Sequence, residues 1–549
     1  MLSIDGAQLY ESKKSDVWIY IWILVDLVPD KRYKIRSILP GGVIPGPETP
    51  GDLNSFLLPG LAHISALQKE GLPIWDSYSQ ERAVMCLFVL LVLADAIVMA
   101  QVSGSVGHHG RKGCRLLCGF IRQNKPQGPH YYPALLRPAG YQDHKTSSHP
   151  DVDINALPVP DPDKYKLDLD FIISSLSKQE YEKCRLHTGI GKPSILSGIP
   201  QTLRLPTYFA GDLMHQPLIN LAALLLDLWC ARPEARNYNR GTEWPWAVLT
   251  GDTWVRHGKA VANATIFLPT SFDRAPRNPQ EKISSGYKAC ELLYYIYGLG
   301  PGVFFDVLPE EYYSHFCRLV HAIRIIYQQT ITRDQLLLAH RFLLQRVLDF
   351  ELLYCERRPE CLHFVRQCVH LLTHLARETH HLGSLCLSSQ WTMECVIGYL
   401  GSLLWQPSNP FRNLATQTRR VATSNALLTM WPDLERSKTN PRGSMDLGDD
   451  YLLLGPKDVS PHPLSHTEQT ALGDFFGNLD IDQESVYRWG CLKIPTEQIA
   501  RSRWKETEWC SDMACMDHNI KVRTSIYFGL FTLHSEYTTV PISWRHPLW

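Results

Sequence analysis

Residues 2–10 read LSIDGAQLY and, beyond a turn-prone lysine pair, residues 17–27 read VWIYIWILVDL. The second stretch is dense in aromatic and β-branched side chains, the composition of a buried strand. Residues 33–44, YKIRSILPGGVI, alternate well enough for a third strand before PGPETPGD breaks it. Residues 53–69 then suit a helix with Asp52 as N-cap. Residues 83–94, AVMCLFVLLVLA, follow as a further buried strand ending at Asp95. The order strand, strand, strand, helix, strand predicts an α/β class, with residues 17–27 pairing with the first strand and Asp5 and Asp95 ending adjacent strands.

Outward from this block the chain changes character. Residues 126–163 are rich in Pro, His, Asp and Ser and read as a long loop or linker. Between residues 213 and 404 apolar residues recur at spacings of three and four, most clearly over 312–327 and 333–353, and predict helices. Beyond residue 409 the chain turns mixed and polar, and no internal repeat occurs at a fixed period. The expected division is 1–135 for the first part of a core, 136–375 for a linker and helical insertion, 376–410 for a returning core helix, and 411–549 for a partly irregular extension.

The whole-chain numbers narrow the function classes. With 44% hydrophobic and 20% charged residues the 549-residue chain can bury several cores, so disorder is excluded as its default state. Its 55 basic residues balance 55 acidic ones, which allows local basic patches but lends a phosphate-binding surface no general support. Fifteen cysteines, an odd number, with no secretory leader ahead of them, argue against a disulfide framework and for a reducing compartment. The apolar run from residue 83 to 100 has only 12 uncharged residues before Asp95, too few for a span of about 20, so no membrane partner is expected.

Three carboxylates stand out by context: Asp5 on the first strand, Asp95 at the end of the apolar run, and Glu394 in SSQWTMECVIGYLG at a helix start, separated by 90 and then 299 residues. Acids so placed on two neighbouring strands and a later helix can hold two divalent cations about 4 Å apart. Carboxylates suit Mg²⁺ because it is a hard ion that prefers oxygen ligands. Each residue also has a plainer reading. Asp-Gly is a common turn dipeptide, Asp95 fits an exposed strand end, and Glu394 is an ordinary acid for the first turn of a helix.

The stretches SIDGAQLYESKKSDVWIYIWILVDLVPDKRYK, LADAIVMAQVSGSVGHHGRKGCRLLC, GDLMHQPLINLAALLLDLW, SFDRAPRNPQEKISSGYKACELLYYIYGLGPG and SQWTMECVIGYLGSLLWQPSNP, in this order, resemble the CACTA (En/Spm-like) transposases, and most nearly their fungal Plavaka relatives. The resemblance runs from residue 1 to about residue 506. It implies an RNase H-like catalytic core interrupted by a large, mostly α-helical insertion between the second and third acids. It further implies metal-dependent cut-and-paste DNA transposition, with Asp5, Asp95 and Glu394 as catalytic and metal-binding acids, two Mg²⁺ or Mn²⁺ ions, DNA and a homo-oligomer as partners, and a nuclear location. The alternative is a transposase-derived DNA- or protein-binding protein without catalysis.

Departures from the family pattern point to a truncated or decayed copy. Cys395 follows Glu394 where the family has Arg, and Trp405 stands where it tends to a basic residue. Only four residues precede Asp5, so the first strand is expected to fray, and the family's longer N-terminal region is missing.

Secondary candidates remain. Cys114 and Cys118, with His108, His109 and His130 nearby, match a cysteine pair that related transposases carry after the second acid, and would suit Zn²⁺; a pair of small buried thiols is the plainer reading. Asp212 and His215 form a D-x-M-H group that the family shares, read either as support for the active-site edge or as a helix-start Asp with a structural His. Asp212 is also the substitute for the third acid. His370 and His374 lie four apart but lack the Glu of an HExxH, and read as core or surface histidines. Cys510, Cys515 and His518 cluster in the tail. Of the basic pairs Lys31-Arg32, Arg111-Lys112 and Arg419-Arg420, the second lies nearest Asp95 and is the best candidate for phosphate contact.

Overall fold

The computed structural model describes residues 1–10, 16–48, 50–76, 78–125, 128–140, 150–231, 244–268, 274–405, 408–434, 440–466, 469–470, 485–495 and 499–502. The chain divides into two compact units, one of residues 1–250 and 306–435, the other of 251–305 and 436–549.

The first unit is a mixed α/β unit built on one sheet. Strand β1 (Leu2–Gln8) pairs antiparallel with β2 (Asp16–Ile23), which pairs antiparallel with β3 (Ile38–Pro45). Strands β4 (Leu72–Asp76) and β5 (Glu81–Met85) form a separate hairpin, and β6 (Val92–Ala94) runs parallel to β1 on its free edge. The order is therefore β3-β2-β1-β6.

Strand periodicity sorts the side chains onto two faces. Leu2, Ile4, Trp18 and Tyr20 join Leu57 and Leu61 of helix α1 (Leu53–Glu70) and Val98 and Met99 of helix α2 (Ala96–Ser103). Met1, Val17, Ile19 and Ile21 join Met393, Val396 and Leu400 of a later helix, Trp391–Ser402, and Leu414 of the next, Pro410–Met430. Helices thus cover both faces of the sheet. Each fully buried aliphatic side chain contributes about 1.5–3 kcal/mol, so sheet and helices hold one another in place.

Several details differ from the sequence expectations. The second strand stops at Ile23, because Pro29–Arg32 and Ile35–Ser37 form short helical turns before β3 begins at Ile38. Residues 83–94 are not one buried element: Ala83, Val84 and Met85 lie exposed in the β4–β5 hairpin, and only Val92–Ala94 enter the main sheet. Pairing with Leu72–Asp76 satisfies the backbone of 81–85 without the core. The first strand does not fray. It is paired from its start, since Leu2 N–H donates to the Leu91 carbonyl at 2.9 Å and Ile23 N–H to the Met1 carbonyl at 2.9 Å. The extension expected to be partly irregular opens on an ordered element: Pro410–Met430 is a 21-residue helix with Leu414 and Thr418 buried.

The stretch read as a linker is anchored in its described part. The buried Glu351 carboxylate accepts the N–H groups of Leu135 and Leu136 at 2.7 and 2.8 Å, and Pro162–Ile173 is a helix capped by Asp161. The helical region includes Glu310–Ile326, Arg333–Phe350 and Gln367–Leu382, each with an apolar buried stripe. In the second unit, Gly251–Ala264 leads a group of short helices, and Met445–Gly448, Tyr451–Lys457, Trp489–Lys493 and Ile499–Arg501 form an antiparallel sheet. No helix among the described residues is long and apolar enough to cross a membrane.

Candidate metal centres

Asp5 shares strand parity with Met1 and Ser3, so it faces the same side of the sheet as the helix Trp391–Ser402. It does not end its strand: β1 runs on to Gln8, with Asp5 opposite Ile19 of β2. It is β6 that ends there. The parallel pair Ile4–Ala94 is the last, which makes Asp5 and Asp95 the next positions on neighbouring strands. Asp95 caps α2, accepting the Val98 N–H at 2.7 Å, and so keeps its second oxygen for another partner.

Glu394 lies in the first turn of its helix, exposed, and comes to Asp5 together with His215. Ligand atoms of Asp5, His215 and Glu394 all lie within 4.8 Å of one another. Asp95 is outside that trio but near enough to act on it electrostatically. Asp5 is 7% exposed, and burial above all pushes its pKa up to about 7; the His215 charge and the Gly6 N–H oppose the rise, and Asp95 and Glu394 add to it. Burial alone would pull His215 down. The hydrogen bond and charge of Asp212, with Asp5 and Asp95 behind, overcome this and raise its pKa to about 9. Without a metal ion, an imidazolium is thus the cation that offsets the clustered acids.

Asp212 is no substitute ligand. It is 2% exposed, and its oxygens accept from Met214 N (3.2 Å), His215 N (2.9 Å), His215 Nδ1 (2.6 Å) and Gln390 N (2.9 Å). With its lone pairs turned to these donors, it supports the acidic trio from behind. His215, which the sequence offered only as an accessory, stands among the ligand atoms. The D-x-M-H spacing was the available signal.

A second group joins the irregular segment after α2 to the distant helix Gln367–Leu382. Cys114, Cys118, His370 and His374 are all buried, with one ligand atom of each within 4.8 Å of all the others. Cys114 Sγ lies 3.5 Å from His374 Nε2, Cys118 Sγ 3.7 Å from His370 Nε2, and the two Nε2 atoms are 3.2 Å apart. This bears on two expectations. His370 and His374 are buried, as a core reading has them, but their ring nitrogens meet the two thiols. The histidines near the cysteines in sequence are not in the group: His108 and His130 pack against His109 instead. Two residues four apart on each of two segments were the signal, but nothing local connects segments some 250 residues apart. Hydrogen bonding with Cys118 draws the Cys114 thiol well below the usual range, while that contact and burial push Cys118 well above it. Burial lowers His370 to about 4, which keeps its imidazole neutral and able to ligate. Both groups are compatible with a bound metal ion.

Around the second group, Arg115 is buried against Glu378 at 2.5 Å and donates to the Phe209 carbonyl at 2.5 Å, and the fully buried Arg122 bonds to the His108 carbonyl and Gln367. A small cavity is lined by Asp95, His108, Arg115, Gln216 and Gln367. Of the basic pairs, Arg419 and Arg420 are exposed, Arg111 and Lys112 are half-buried, and Arg32 is engaged locally with the Leu27 carbonyl. Cys395 is exposed beside Glu394, and Trp405 is 90% exposed. Cys510, Cys515 and His518 lie outside the described residues. No family model matches the chain, and no curated protein gives a significant match.

Proposed function

We propose that the first unit is the catalytic region of a DDE-type cut-and-paste DNA transposase, with an RNase H-like core interrupted by a helical insertion, acting on DNA in the nucleus. The observation that carries this reading is the meeting of Asp5 and Glu394, from opposite ends of the unit, beside Asp95. The four-stranded sheet order β3-β2-β1-β6, with β6 alone parallel to β1, supports this reading. Asp5, Asp95 and Glu394 supply the oxygen donors that Mg²⁺ or Mn²⁺ prefers. Ions bound there would activate an attacking hydroxyl and stabilise the oxygen that leaves the phosphodiester. The protein's own part is to hold three acids close together, to offset part of their charge with His215, and to keep Asp5 dry.

The Cys114, Cys118, His370 and His374 group fits Zn²⁺. Tetrahedral zinc with sulfur at about 2.3 Å and nitrogen at about 2.0–2.1 Å sets S···N edges of about 3.6 Å and N···N edges of about 3.3 Å. The observed 3.5, 3.7 and 3.2 Å agree. Its role is structural, because all four ligands are buried and the group ties the segment after β6 to the helix Gln367–Leu382.

The test is Mn²⁺-dependent cleavage by purified protein of DNA carrying the sequences that flank its own coding region. End-specific cutting that Asp5→Asn and Glu394→Gln abolish is the expected result. Cutting that survives both substitutions would overturn the reading. Exposed Cys395 beside Glu394 and exposed Trp405, where the resemblance leads one to expect positive charge, favour a second reading, a transposase-derived DNA-binding protein that no longer cuts. Specific DNA binding without cleavage at any Mn²⁺ concentration would select it.

A further inference from the structure

The acidic trio is assembled from three stretches of chain that share no local structure: β1, the turn at 212–215, and the helix that begins at Trp391. Two buried polar side chains bind these stretches together. Asp212 accepts the main-chain N–H of Gln390 at 2.9 Å, while its other contacts fix the main chain and the Nδ1 of His215. Gln390, fully buried, extends its Nε2 to the carbonyl of Ile4 at 3.0 Å, the residue immediately before Asp5. Gln390 also accepts the N–H of Glu394 at 3.0 Å through its carbonyl, as the residue that opens the helix. One continuous path of hydrogen bonds therefore runs from His215 through Asp212 and Gln390 to Glu394 and to the backbone of β1.

We propose that Asp212 and Gln390 form a positioning clip that sets Glu394 and His215 against Asp5. This rests on the metal-binding reading of the trio and adds to it the two residues that make the site one site. Neither touches the reacting atoms.

The physical reason lies in the cost of alternatives. A buried carboxylate or amide keeps its place because leaving a donor or acceptor unpaired there costs about 1–3 kcal/mol, more for a charged group. Asp212 has no water to turn to, and each of its donors belongs to an element that must be placed. Strand pairing fixes Asp5, and the end of β6 with the cap on α2 fixes Asp95. Glu394, on a helix held to the sheet by apolar contacts that tolerate sliding, needs a directional contact to be aligned with them. Partners of this kind behind metal ligands are worth roughly 10–100-fold in metal affinity or activity.

The experiment uses the full chain and Mn²⁺ as the probe, with bound ion read by electron paramagnetic resonance, and zinc content and thermal unfolding followed in parallel. Asp212→Asn keeps the shape but turns an amide toward N–H donors; Gln390→Ala removes only the contact to Ile4. Each should weaken Mn²⁺ binding by roughly 10-fold or more, with zinc content unchanged, and Asp5→Asn should abolish it. Should Asp212→Asn not fold, Gln390→Ala decides alone. Wild-type affinity in Gln390→Ala, with binding lost in Asp5→Asn, overturns the clip and leaves the metal site standing. Absence of Mn²⁺ binding in the wild type, or equal binding in Asp5→Asn, overturns the metal reading and the clip with it.

Discussion

Replacing Asp5 by Asn should stabilise the metal-free protein at pH 8, the sign expected of a carboxylate buried with too few donors. The pKa of Asp5 is raised from 3.8 to about 7, mainly by burial. The unfolded chain therefore loses its proton first as pH rises, and between about pH 4 and pH 7 the folded state binds more protons than the unfolded one. Stability then falls with rising pH across that window. A rise of about three units, at 1.36 kcal/mol each, amounts to about 4 kcal/mol once Asp5 is ionised. Asn keeps the oxygen that accepts the Gly6 N–H at 2.8 Å and carries no charge. The stability difference between Asp5→Asn and wild type should accordingly be near zero at pH 4 and grow to as much as about 4 kcal/mol at pH 8. Urea unfolding at several pH values, without added divalent ion, measures it. Mn²⁺ should narrow the difference at pH 8, since an ion at 100 times its dissociation constant stabilises the folded state by about 2.7 kcal/mol and the Asn variant lacks the ligand. A difference that does not vary with pH, or Asp5→Asn being the less stable protein at pH 8, would refute the reasoning.

Stripping zinc from the Cys114, Cys118, His370 and His374 group should lower the unfolding temperature of the first unit, of about 380 residues, by about 3–5 °C for zinc held at 100–1,000 times its dissociation constant. Metal analysis and calorimetry check it, and Cys114→Ser should make the protein indifferent to the chelator. Glu378→Ala leaves Arg115 buried without its partner and should cost about 3–5 kcal/mol, while a double change to Arg115→Met with Glu378→Leu recovers most of it. The raised pKa of His215 stabilises the metal-free fold below about pH 6.5, and that contribution should vanish as pH passes about 9; His215→Gln should remove the alkaline limb of the stability profile. Cys395→Arg with Trp405→Arg should tighten DNA binding and steepen its logarithmic salt dependence by up to about 1.8, if both new charges reach phosphates, which filter binding at several salt concentrations would reveal.

What could be read in the sequence, and what could not, divides along physical lines. The strands at 2–8 and 16–23 were legible because a run of Val, Ile, Trp and Tyr has little alternative to burial in a sheet. Parity then placed Asp5 on a face, but which helix would cover that face is a tertiary fact. Residues 83–94 were misread because an apolar run says only that its side chains avoid water, and pairing with 72–76 takes 81–85 into a hairpin outside the core. His370 and His374 were dismissed for want of a glutamate between them, since a local pattern knows only local ligands, and their partners sit about 250 residues earlier. Asp212 was ambiguous for the opposite reason: a carboxylate beside a histidine looks the same on paper whether it binds a metal or a row of N–H groups. Its four donors decide the matter. The two carboxylates differ in one respect that matters for chemistry. Asp212 spends its charge on donors that the fold already supplies, so its ionised form is satisfied. Asp5, with one backbone N–H and a half-buried histidine, is not, and its raised pKa measures that deficit. A fold that buries an acid so poorly served carries a standing cost, which a divalent cation at Asp5 and Glu394 would remove.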